Sequence, residues 1–387
     1  MNKFRFLTSG ESHGKCLNAV IEGVPAGFRI DEDFINSELK RRQVGYGRGK
    51  RMQIESDKCE IKSGVRLGFT TGGPICIEIK NKDFENWRIP MSTKELDLKN
   101  REILKLVADK SFTKVRPGHA DFAGAIKYQL EDLRDVLERS SARQTAIEVA
   151  VGAIAKQMLK EFSIIGFSHV TQIGNVKAEV LPQSYTLLKE SAEHSELRCA
   201  DDVATDMMKE AIDAAKNDGD TLGGKFEVIF GNLPIGLGSY VHWDRKLDGR
   251  IAQAIMSIPA VKSVEIGAGA EAASLLGSKM HDEVFISDNK IYRKTNNAGG
   301  VEGGMTNGEP LVVKVVMKPI PTMRTPLNTV DLYKKEPTEA HFERSDTCAV
   351  PACAVVAESR VAWILIDEFL TKFGGDSLKE IKKNYEK

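Results

Sequence analysis

Short runs of apolar, often β-branched residues bounded by glycine or proline indicate β-strands along the chain. The clearest are residues 16–24 (CLNAVIEGV), 75–80 (ICIEIK), 225–230 (KFEVIF) and 311–317 (LVVKVVM). Branched and aromatic side chains favour extended backbone because they pack well on a pleated surface. We predict that these strands belong to antiparallel sheets.

Longer stretches between the strands carry helical patterns. Residues 120–137 predict an amphipathic helix whose apolar face is formed by Phe122, Ile126, Leu130, Leu133 and Leu137. Residues 145–160 and 352–372 are apolar around most of the circumference, so we expect two buried helices. The second should end at Gly374 and Gly375.

Strands and helices alternate without the regular rhythm of a parallel βαβ fold, which favours an α+β arrangement. No linker divides the sequence, so we predict one domain over residues 1–387, with a flexible tail at about 376–387.

Composition narrows the possible partners. Lys plus Arg and Asp plus Glu each number 55, so no overall charge attracts nucleic acid or an anionic membrane. Charges interrupt every apolar run before the roughly 18 residues of a membrane span. The cysteines form no CxxC pair and no apolar signal core opens the chain, so we expect reduced thiols and a cytoplasmic protein.

Two glycine-rich motifs in the first part of the chain are candidate sites. GESHG, residues 10–14, places Ser12 and His13 between two glycines, where His13 is either a turn residue or a catalyst. The basic run KRRQVGYGRGKR, residues 40–51, includes Arg42 and Arg48 and is a solvated loop, an RNA-binding segment or an anion site.

Two further motifs stand at predicted helix ends. RPGHAD, residues 116–121, combines Arg116 and His119 just before a helix whose N-terminus favours an anion. ERSSARQTA, residues 138–146, reads as a capping box from Ser141 to Gln144, or as a phosphate seat that includes Arg139 and Arg143.

The last two motifs, MKPIPT (317–322) and ERSDTCAVPA (343–352), contribute Lys318, Thr322, Arg344 and Asp346 in loops. An isolated Arg-Ser-Asp is typical of an exposed turn. Together, however, the motifs bring two histidines and few carboxylates to six candidate arginines, which predicts a local pocket for a polyanion; these are Arg42, Arg48, Arg116, Arg139, Arg143 and Arg344. The sequence contains no Walker loop, no GxGxxG and no zinc-ligand spacing.

In their order along residues 4–375, these motifs resemble the chorismate synthase family. The resemblance rests on GESHGKCLNAVIEGVP, RRQVGYGRG, RPGHAD, ERSSARQTA, GGVEGGMTNGEP, MKPIPT and RSDTCAVPA. It implies a β-α-β sandwich with helices packed between antiparallel sheets, assembled as a homotetramer. It also implies an anti 1,4-elimination that removes phosphate and the C6 proton from 5-enolpyruvylshikimate 3-phosphate, giving chorismate for aromatic amino acid biosynthesis through the shikimate pathway.

The reaction involves no net redox change, yet the resemblance implies a requirement for reduced FMN. No carbonyl acidifies the C6 proton, so acid–base catalysis worth roughly 10²–10⁴-fold falls short, and an electron-rich flavin can supply charge as phosphate leaves. An alternative is a bifunctional form that also reduces its flavin with NADPH.

The resemblance assigns roles to the motif residues. His13 is expected to protonate the leaving phosphate, His119 to protonate the reduced flavin, and Asp346 to accept or relay the C6 proton by way of flavin N5. The expected substrate contacts are Ser12, Arg42, Arg48, Arg116, Ser141 and Arg143. The expected FMN contacts are Arg139, Ser140, Ser141, Pro259, Ala260, Gly303, Lys318, Pro319, Ile320, Pro321, Thr322 and Arg344.

One position departs from the family pattern. The family often carries Asn where this chain has Pro259 in SIPAVK, so a side-chain contact to FMN is lost there and only the backbone carbonyl could serve.

Overall fold

The computed structural model of the chain describes residues 3–49, 56–179, 184–343 and 345–386. The strands of these residues are β1 (Arg5–Gly10), β2 (Cys16–Glu22), β3 (Cys59–Ile61), β4 (Val65–Arg66), β5 (Phe69–Thr70), β6 (Ile75–Lys80), β7 (Ile165–Ile173), β8 (Val176–Lys177), β9 (Gly224–Gly231), β10 (Val261–Ile266), β11 (Val284–Ser287), β12 (Lys290–Arg293), β13 (Val301–Glu302), β14 (Met305–Thr306), β15 (Leu311–Met317), β16 (Asn328–Asp331) and β17 (Glu336–Glu339).

The helices are α1 (Glu32–Gln43), α2 (Arg101–Ala108), α3 (Asp121–Tyr128), α4 (Leu133–Ser140), α5 (Thr145–Lys160), α6 (Tyr185–His194), α7 (Asp202–Asp218), α8 (Leu247–Met256), α9 (Gly277–Met280), α10 (Val350–Phe373) and α11 (Leu378–Tyr385). Short 3₁₀ turns occur at 82–87, 142–144, 243–245 and 269–274.

Two larger sheets contain all four strands that the sequence predicted. One has the strand order β1-β2-β6-β3 and the other β10-β15-β9-β7-β8. Every pairing between neighbours in both sheets is antiparallel. The predicted antiparallel setting is therefore confirmed.

Two long helices fill the space between these sheets. Helix α5 packs against β2 and β6 of the first sheet and against β7 of the second, while α10 packs on β7 and β9. Residues 145–159 of α5 are all buried, as their nearly continuous apolar character predicts. This layering confirms the predicted α+β fold with helices between antiparallel sheets.

The close approach of α5 and α10 depends on Gly152. A β-carbon added at Gly152 would lie 2.2 Å from the β-carbon of Ser359 on α10. No side chain fits in that gap, so glycine lets the two helix backbones approach each other closely.

A buried ionic cluster also joins the layers. Glu358 of α10 is fully buried, and its carboxylate lies 2.6 Å from Lys156 Nζ of α5 and 2.9 Å from Arg41 Nη2 of α1. Arg198 and the hydroxyl of Ser168 donate to the same carboxylate. Glu38 and Glu193 pair with the same cations, so three cations and three carboxylates compensate one another.

The predicted single helix over residues 120–137 is wrong, because the chain breaks it into α3 and α4. Gln129 adopts a left-handed conformation with φ of 54°, and Asp132 then caps α4 by accepting a hydrogen bond from the backbone N–H of Arg134. Phe122 and Ile126 are exposed, whereas Leu133 and Leu137 are buried. The residues that seemed to share one helical face are therefore divided between two helices and the turn that joins them.

The end of the chain forms a helix. Helix α10 stops at Gly374, where φ is 62°. Helix α11 follows over residues expected to be flexible, and its Ile381 is 1 % exposed within the main core. Among the described residues, we find no helix with the length and apolarity that crossing a membrane requires.

Candidate active site

A cavity of about 800 Å³ gathers residues from motifs that are far apart in the sequence. This volume lies within the range typical of small-molecule sites. Predicted site residues that line it are Ser12, His13, Arg42, Arg48, Arg116, His119, Ser140, Ser141, Arg143, Pro259, Ala260, Lys318, Ile320, Pro321, Thr322 and Asp346.

Three predicted flavin contacts are not among the lining residues. Arg139 donates to the carbonyl oxygens of Thr8 and Gly10, so it braces the chain ahead of His13. Gly303 lies in the turn between β13 and β14, and Pro319 is exposed after β15. Arg344, also predicted, lies outside the described residues.

Glu138 lies behind the cavity lining and holds His13 in place. The His13 Nδ1 lies 2.7 Å from Glu138 Oε1, and the His13 backbone N–H donates to Glu138 Oε2 over 2.7 Å. Trp87 stacks on the imidazole with ring centroids 3.9 Å apart. His13 is 8 % exposed, and these contacts fix the orientation in which its ring lines the cavity.

His119 has a similar carboxylate partner. Its Nδ1 lies 2.7 Å from Asp121 Oδ1, and Arg116 donates to both oxygens of Asp121 over 2.7 Å. Burial alone would raise the pKa of Asp121, but hydrogen bonds from Arg116 and His119 hold it well below its usual range. Asp121 therefore stays ionised and fixes both residues.

Asp346 meets the glycine-rich loop that follows α1. Its Oδ2 lies 2.7 Å from Arg48 Nη1, and its Oδ1 accepts a hydrogen bond from the Gly49 backbone N–H over 2.6 Å. The two regions of sequence are almost 300 residues apart, yet they share one wall of the cavity.

Arg42 and Arg143 form another part of that wall. Arg42 donates to the Thr145 hydroxyl, and its Nη1 lies 4.0 Å from Asp57. Arg143 donates to Asp57 over 2.7 Å and to Asn81 over 2.9 and 3.0 Å. Burial lowers the pKa of Arg42 to about 10, because the attraction of Asp57 does not offset desolvation and the neighbouring Arg143 and Arg48.

These contacts contradict the solvated-loop interpretation of residues 40–51 for Arg42 and Arg48. Arg42 belongs to the last turn of α1 and is buried, and the Arg48 side chain at the cavity is 9 % exposed. The hydroxyl of Tyr46 donates to Asp213 over 2.6 Å. Lys50 and Arg51, the end of the run, lie outside the described residues.

Ser141 forms a different cap from the predicted capping box. Its hydroxyl accepts a hydrogen bond from the backbone N–H of Arg143, capping the 3₁₀ turn before α5. The Ser12 hydroxyl lies 3.1 Å from the Ser141 hydroxyl, so the GESHG and ERSSARQTA motifs meet there.

The cavity lining also contains Lys318 and several apolar residues. Lys318 donates to the Gly118 carbonyl over 2.6 Å, and burial together with nearby Lys262 lowers its pKa. Apolar lining residues include Leu137, Ile258, Met317, Ile320, Phe342 and Val356. A flat aromatic ligand with polar groups at one end would be complementary to such a lining.

Among the charged residues of the lining, cations outnumber carboxylates. The cations are Arg42, Arg48, Arg116, Arg143, Lys216, Lys318 and Arg324, and the carboxylates are Asp220, Glu343 and Asp346. This excess suits a ligand that carries several negative charges. Across the described part of the chain, no group of His, Cys, Asp and Glu residues could hold a metal ion.

Several groups behind the lining were not among the residues predicted from the sequence. Few carboxylates were expected inside the motifs, yet Asp121 closes RPGHAD and Glu138 opens ERSSARQTA, and each bonds to a site histidine. Their positions inside the motifs were a usable signal. Asp57, Asn81 and Trp87 carried no such signal, because only the tertiary fold brings them to the site.

Comparison with known proteins gives a consistent picture. The sequence profile described as chorismate synthase matches residues 4–370. Chorismate synthase of Carboxydothermus hydrogenoformans is 53 % identical over 386 residues, which cover 99 % of this chain and 97 % of that protein. Chorismate synthase 1 of Bacillus cereus is 53 % identical over 385 residues, with 99 % and 98 % covered. A solved crystal structure of chorismate synthase superimposes with a TM-score of 0.78 at 42 % identity, covering 99 % of this chain and 96 % of that one.

Proposed function

Because the chain belongs to the chorismate synthase family of carbon–oxygen lyases, we propose that its cavity converts 5-enolpyruvylshikimate 3-phosphate into chorismate by anti 1,4-elimination of phosphate and the C6 proton. We propose further that the reaction needs reduced FMN and leaves it without net redox change.

One observation carries this proposal. A single cavity is lined by Arg42, Arg48, Arg116 and Arg143 together with His13, His119 and Asp346. The substrate has two carboxylates and a phosphate of about −1.5 to −2 charge. Guanidinium groups match such oxyanions because their N–H donors form planar forks.

The lining also fits FMN. Apolar side chains such as Ile258 and Val356 offer contact area for a flavin ring. Polar and backbone groups are offered by Ser140, Ser141, Ala260, Lys318, Ile320, Pro321 and Thr322. When bound, the reduced flavin supplies electron density as the phosphate departs. Of the flavin contacts expected from the family, those of Arg139, Gly303 and Pro319 draw no support from the cavity lining.

The chain's own groups account for the proton transfers. His13 donates a proton to the leaving phosphate, and Asp346 accepts or relays the C6 proton. His119, whose Nδ1 lies 2.7 Å from Asp121, would donate a proton from Nε2 to a bound reduced flavin. The arginines bind and orient the anionic groups and exclude bulk water from them.

The direct test is an anaerobic assay of the purified protein with chemically reduced FMN and 5-enolpyruvylshikimate 3-phosphate. We expect chorismate absorbance to rise with reduced FMN and to stay flat with oxidised FMN. Product formation with oxidised FMN alone would refute the cofactor requirement. A further arm with NADPH and oxidised FMN distinguishes the bifunctional form, which alone forms product there.

We also propose that the chain assembles as a homotetramer. Leu7 and Val20 lie directly opposite each other on β1 and β2, and both are exposed, as are Trp243, Ile286 and Ile291. Apolar side chains exposed in neighbouring positions favour burial against another protein surface.

A further inference from the structure

The structure assigns a positioning role to Glu138: its buried carboxylate holds the His13 imidazole with the proton on Nδ1, so that His13 exchanges its catalytic proton at Nε2. This inference rests on the proposed function, because it concerns how the acid of that reaction is prepared. Glu138 itself does not line the cavity.

The tautomer follows from the chemistry of the partners. An ionised carboxylate only accepts hydrogen bonds, so the 2.7 Å contact between Nδ1 and Oε1 requires the proton on Nδ1. Nε2 is on the opposite edge of the ring, and His13 reaches the cavity wall. A carboxylate at Nδ1 fixes the orientation of an imidazole and stabilises its cationic form once Nε2 is protonated.

Glu138 also fixes the backbone beneath the ring. Its Oε2 accepts from the His13 N–H over 2.7 Å, and its carbonyl oxygen accepts from the Ser12 N–H over 2.9 Å. Asn81 holds the same loop from the other side by donating to the carbonyl oxygens of Glu11 and Gly14. Glu138 thus makes three hydrogen bonds to Ser12 and His13, which set both the position of the His13 ring and the nitrogen that carries its proton.

Glu138 lies closer to His13 than to the neighbouring cation Arg134. Arg134 Nη1 lies 3.5 Å from Glu138 Oε1, whereas Arg134 Nη2 donates to Glu343 over 2.6 Å. Arg134 and Lys110 both lie over the Trp87 ring that stacks on His13. A buried carboxylate is costly unless it is hydrogen-bonded, so Glu138 stabilises the His13 orientation that satisfies it.

His119 and Asp121 show the same pairing of a ring nitrogen with a carboxylate, but an arginine shares this carboxylate. Asp121 Oδ1 lies 2.7 Å from His119 Nδ1, but Arg116 also binds both oxygens of that carboxylate. Asp121 therefore serves an arginine and a histidine together, whereas Glu138 serves mainly His13. Each histidine of the site thus has its own carboxylate partner. Asp121 belongs to the same motif as His119, whereas Glu138 belongs to a different motif from His13.

The first test uses the unmodified, ligand-free protein with ¹⁵N-labelled histidine. The His13 signals are assigned by their loss in His13→Gln. We expect the neutral His13 ring to carry its proton on Nδ1, with a downfield proton resonance from the bond to the carboxylate. A neutral ring protonated mainly on Nε2 would overturn the inference, whether or not the protein makes chorismate.

The second test compares Glu138→Ala with Glu148→Ala, which also removes a buried, ion-paired carboxylate but one bound to Arg360. In Glu138→Ala we expect a mixture of His13 tautomers and a kcat at least about 10²-fold lower, with KM for the substrate changed less than about threefold. Glu148→Ala should leave the His13 tautomer unchanged. Turnover of Glu138→Ala within about threefold of the unmodified protein, or an unchanged tautomer, would overturn the positioning role.

Discussion

Asp346 illustrates how single side chains in this molecule are held for proton transfer. Arg48 and the Gly49 N–H bind its two oxygens at 2.7 and 2.6 Å, so the carboxylate has one orientation at the cavity wall. A proton acceptor needs this kind of fixed geometry because proton transfer falls off steeply with distance and angle.

We predict that Asp346→Asn lowers kcat by at least about 10²-fold, because an amide keeps the shape of the carboxylate but cannot accept the C6 proton. Steady-state assays with reduced FMN measure this change. Asp244→Asn, which alters an exposed aspartate paired with His242, is the control and should retain full turnover. An Asp346→Asn protein as active as the control would remove Asp346 from the proton path.

Arg48 contributes mainly to substrate binding. Removing a charge-assisted hydrogen bond costs about 1.5–3 kcal/mol, so we predict that Arg48→Ala raises KM for the substrate by roughly tenfold or more. The exposed Arg66 provides the control Arg66→Ala, for which we expect an unaltered KM. If KM stays constant in Arg48→Ala while kcat alone falls, Arg48 acts through Asp346 instead.

At the residue scale, sequence motifs identified most of the cavity lining but little of what supports it. Arg42 and Arg143 could be named from their motifs, whereas their partner Asp57 belongs to an unremarkable stretch of sequence. Supporting contacts of this kind depend on tertiary distances, which no local pattern encodes.

At the scale of elements, hydrophobic patterns predicted the strands and the two central helices because burial determines both. The same reasoning failed at residues 120–137, where Gln129 turns left-handed and Asp132 caps a new helix. A helical apolar repeat indicates which residues could share a face, but the caps decide where each helix ends.

The Glu358 cluster ties three helices together and predicts a pH dependence of stability. Burial would raise the pKa of Glu358, but Arg41, Lys156 and Arg198 outweigh it and hold the pKa well below the usual 4.5. A carboxyl group whose pKa is lower in the folded state than in the unfolded state stabilises the folded protein at pH values above the unfolded-state pKa. This stabilisation is lost as the pH falls below the unfolded-state pKa. We therefore expect the free energy of unfolding to decrease as the pH falls below about 4.5.

The matching variant is Glu358→Gln, which removes the fully buried carboxylate that Arg41, Lys156 and Arg198 share and leaves these cations their contacts with Glu38 and Glu193. We expect a loss of about 3–5 kcal/mol in the free energy of unfolding at neutral pH, and a weaker pH dependence below 4.5. Urea unfolding at neutral and acidic pH measures both. Glu60→Gln removes an exposed carboxylate paired with Lys62 and Lys80, and should leave the free energy of unfolding nearly unchanged. Equal losses in the two variants would contradict the role of the buried cluster.

At the scale of the whole molecule, one continuous core extends from Phe4 to Ile381 and holds the site motifs in a common frame. Zero net charge and a cation-rich cavity coexist because carboxylates elsewhere on the chain balance the arginines. The sequence predicted this local concentration of charge correctly, but the cavity itself exists only after the layers pack.

We predict that the protein in solution has about four times the chain mass of 42.7 kDa. The exposed apolar side chains on β1, β2 and the β11–β12 hairpin would then be covered by other copies. Sedimentation analysis measures the mass, and Leu7→Lys should shift the distribution toward smaller species. A monomer at micromolar concentration would rule out the tetramer.

The most direct test of the proposed elimination is an anaerobic stoichiometry measurement. Substrate is supplied in large excess over reduced FMN, and phosphate release, chorismate absorbance and the flavin spectrum are followed together. We predict that phosphate and chorismate appear one for one over many turnovers per flavin, while the flavin stays reduced. Oxidation of one flavin for each product molecule, or phosphate release without chorismate, would contradict a redox-neutral elimination.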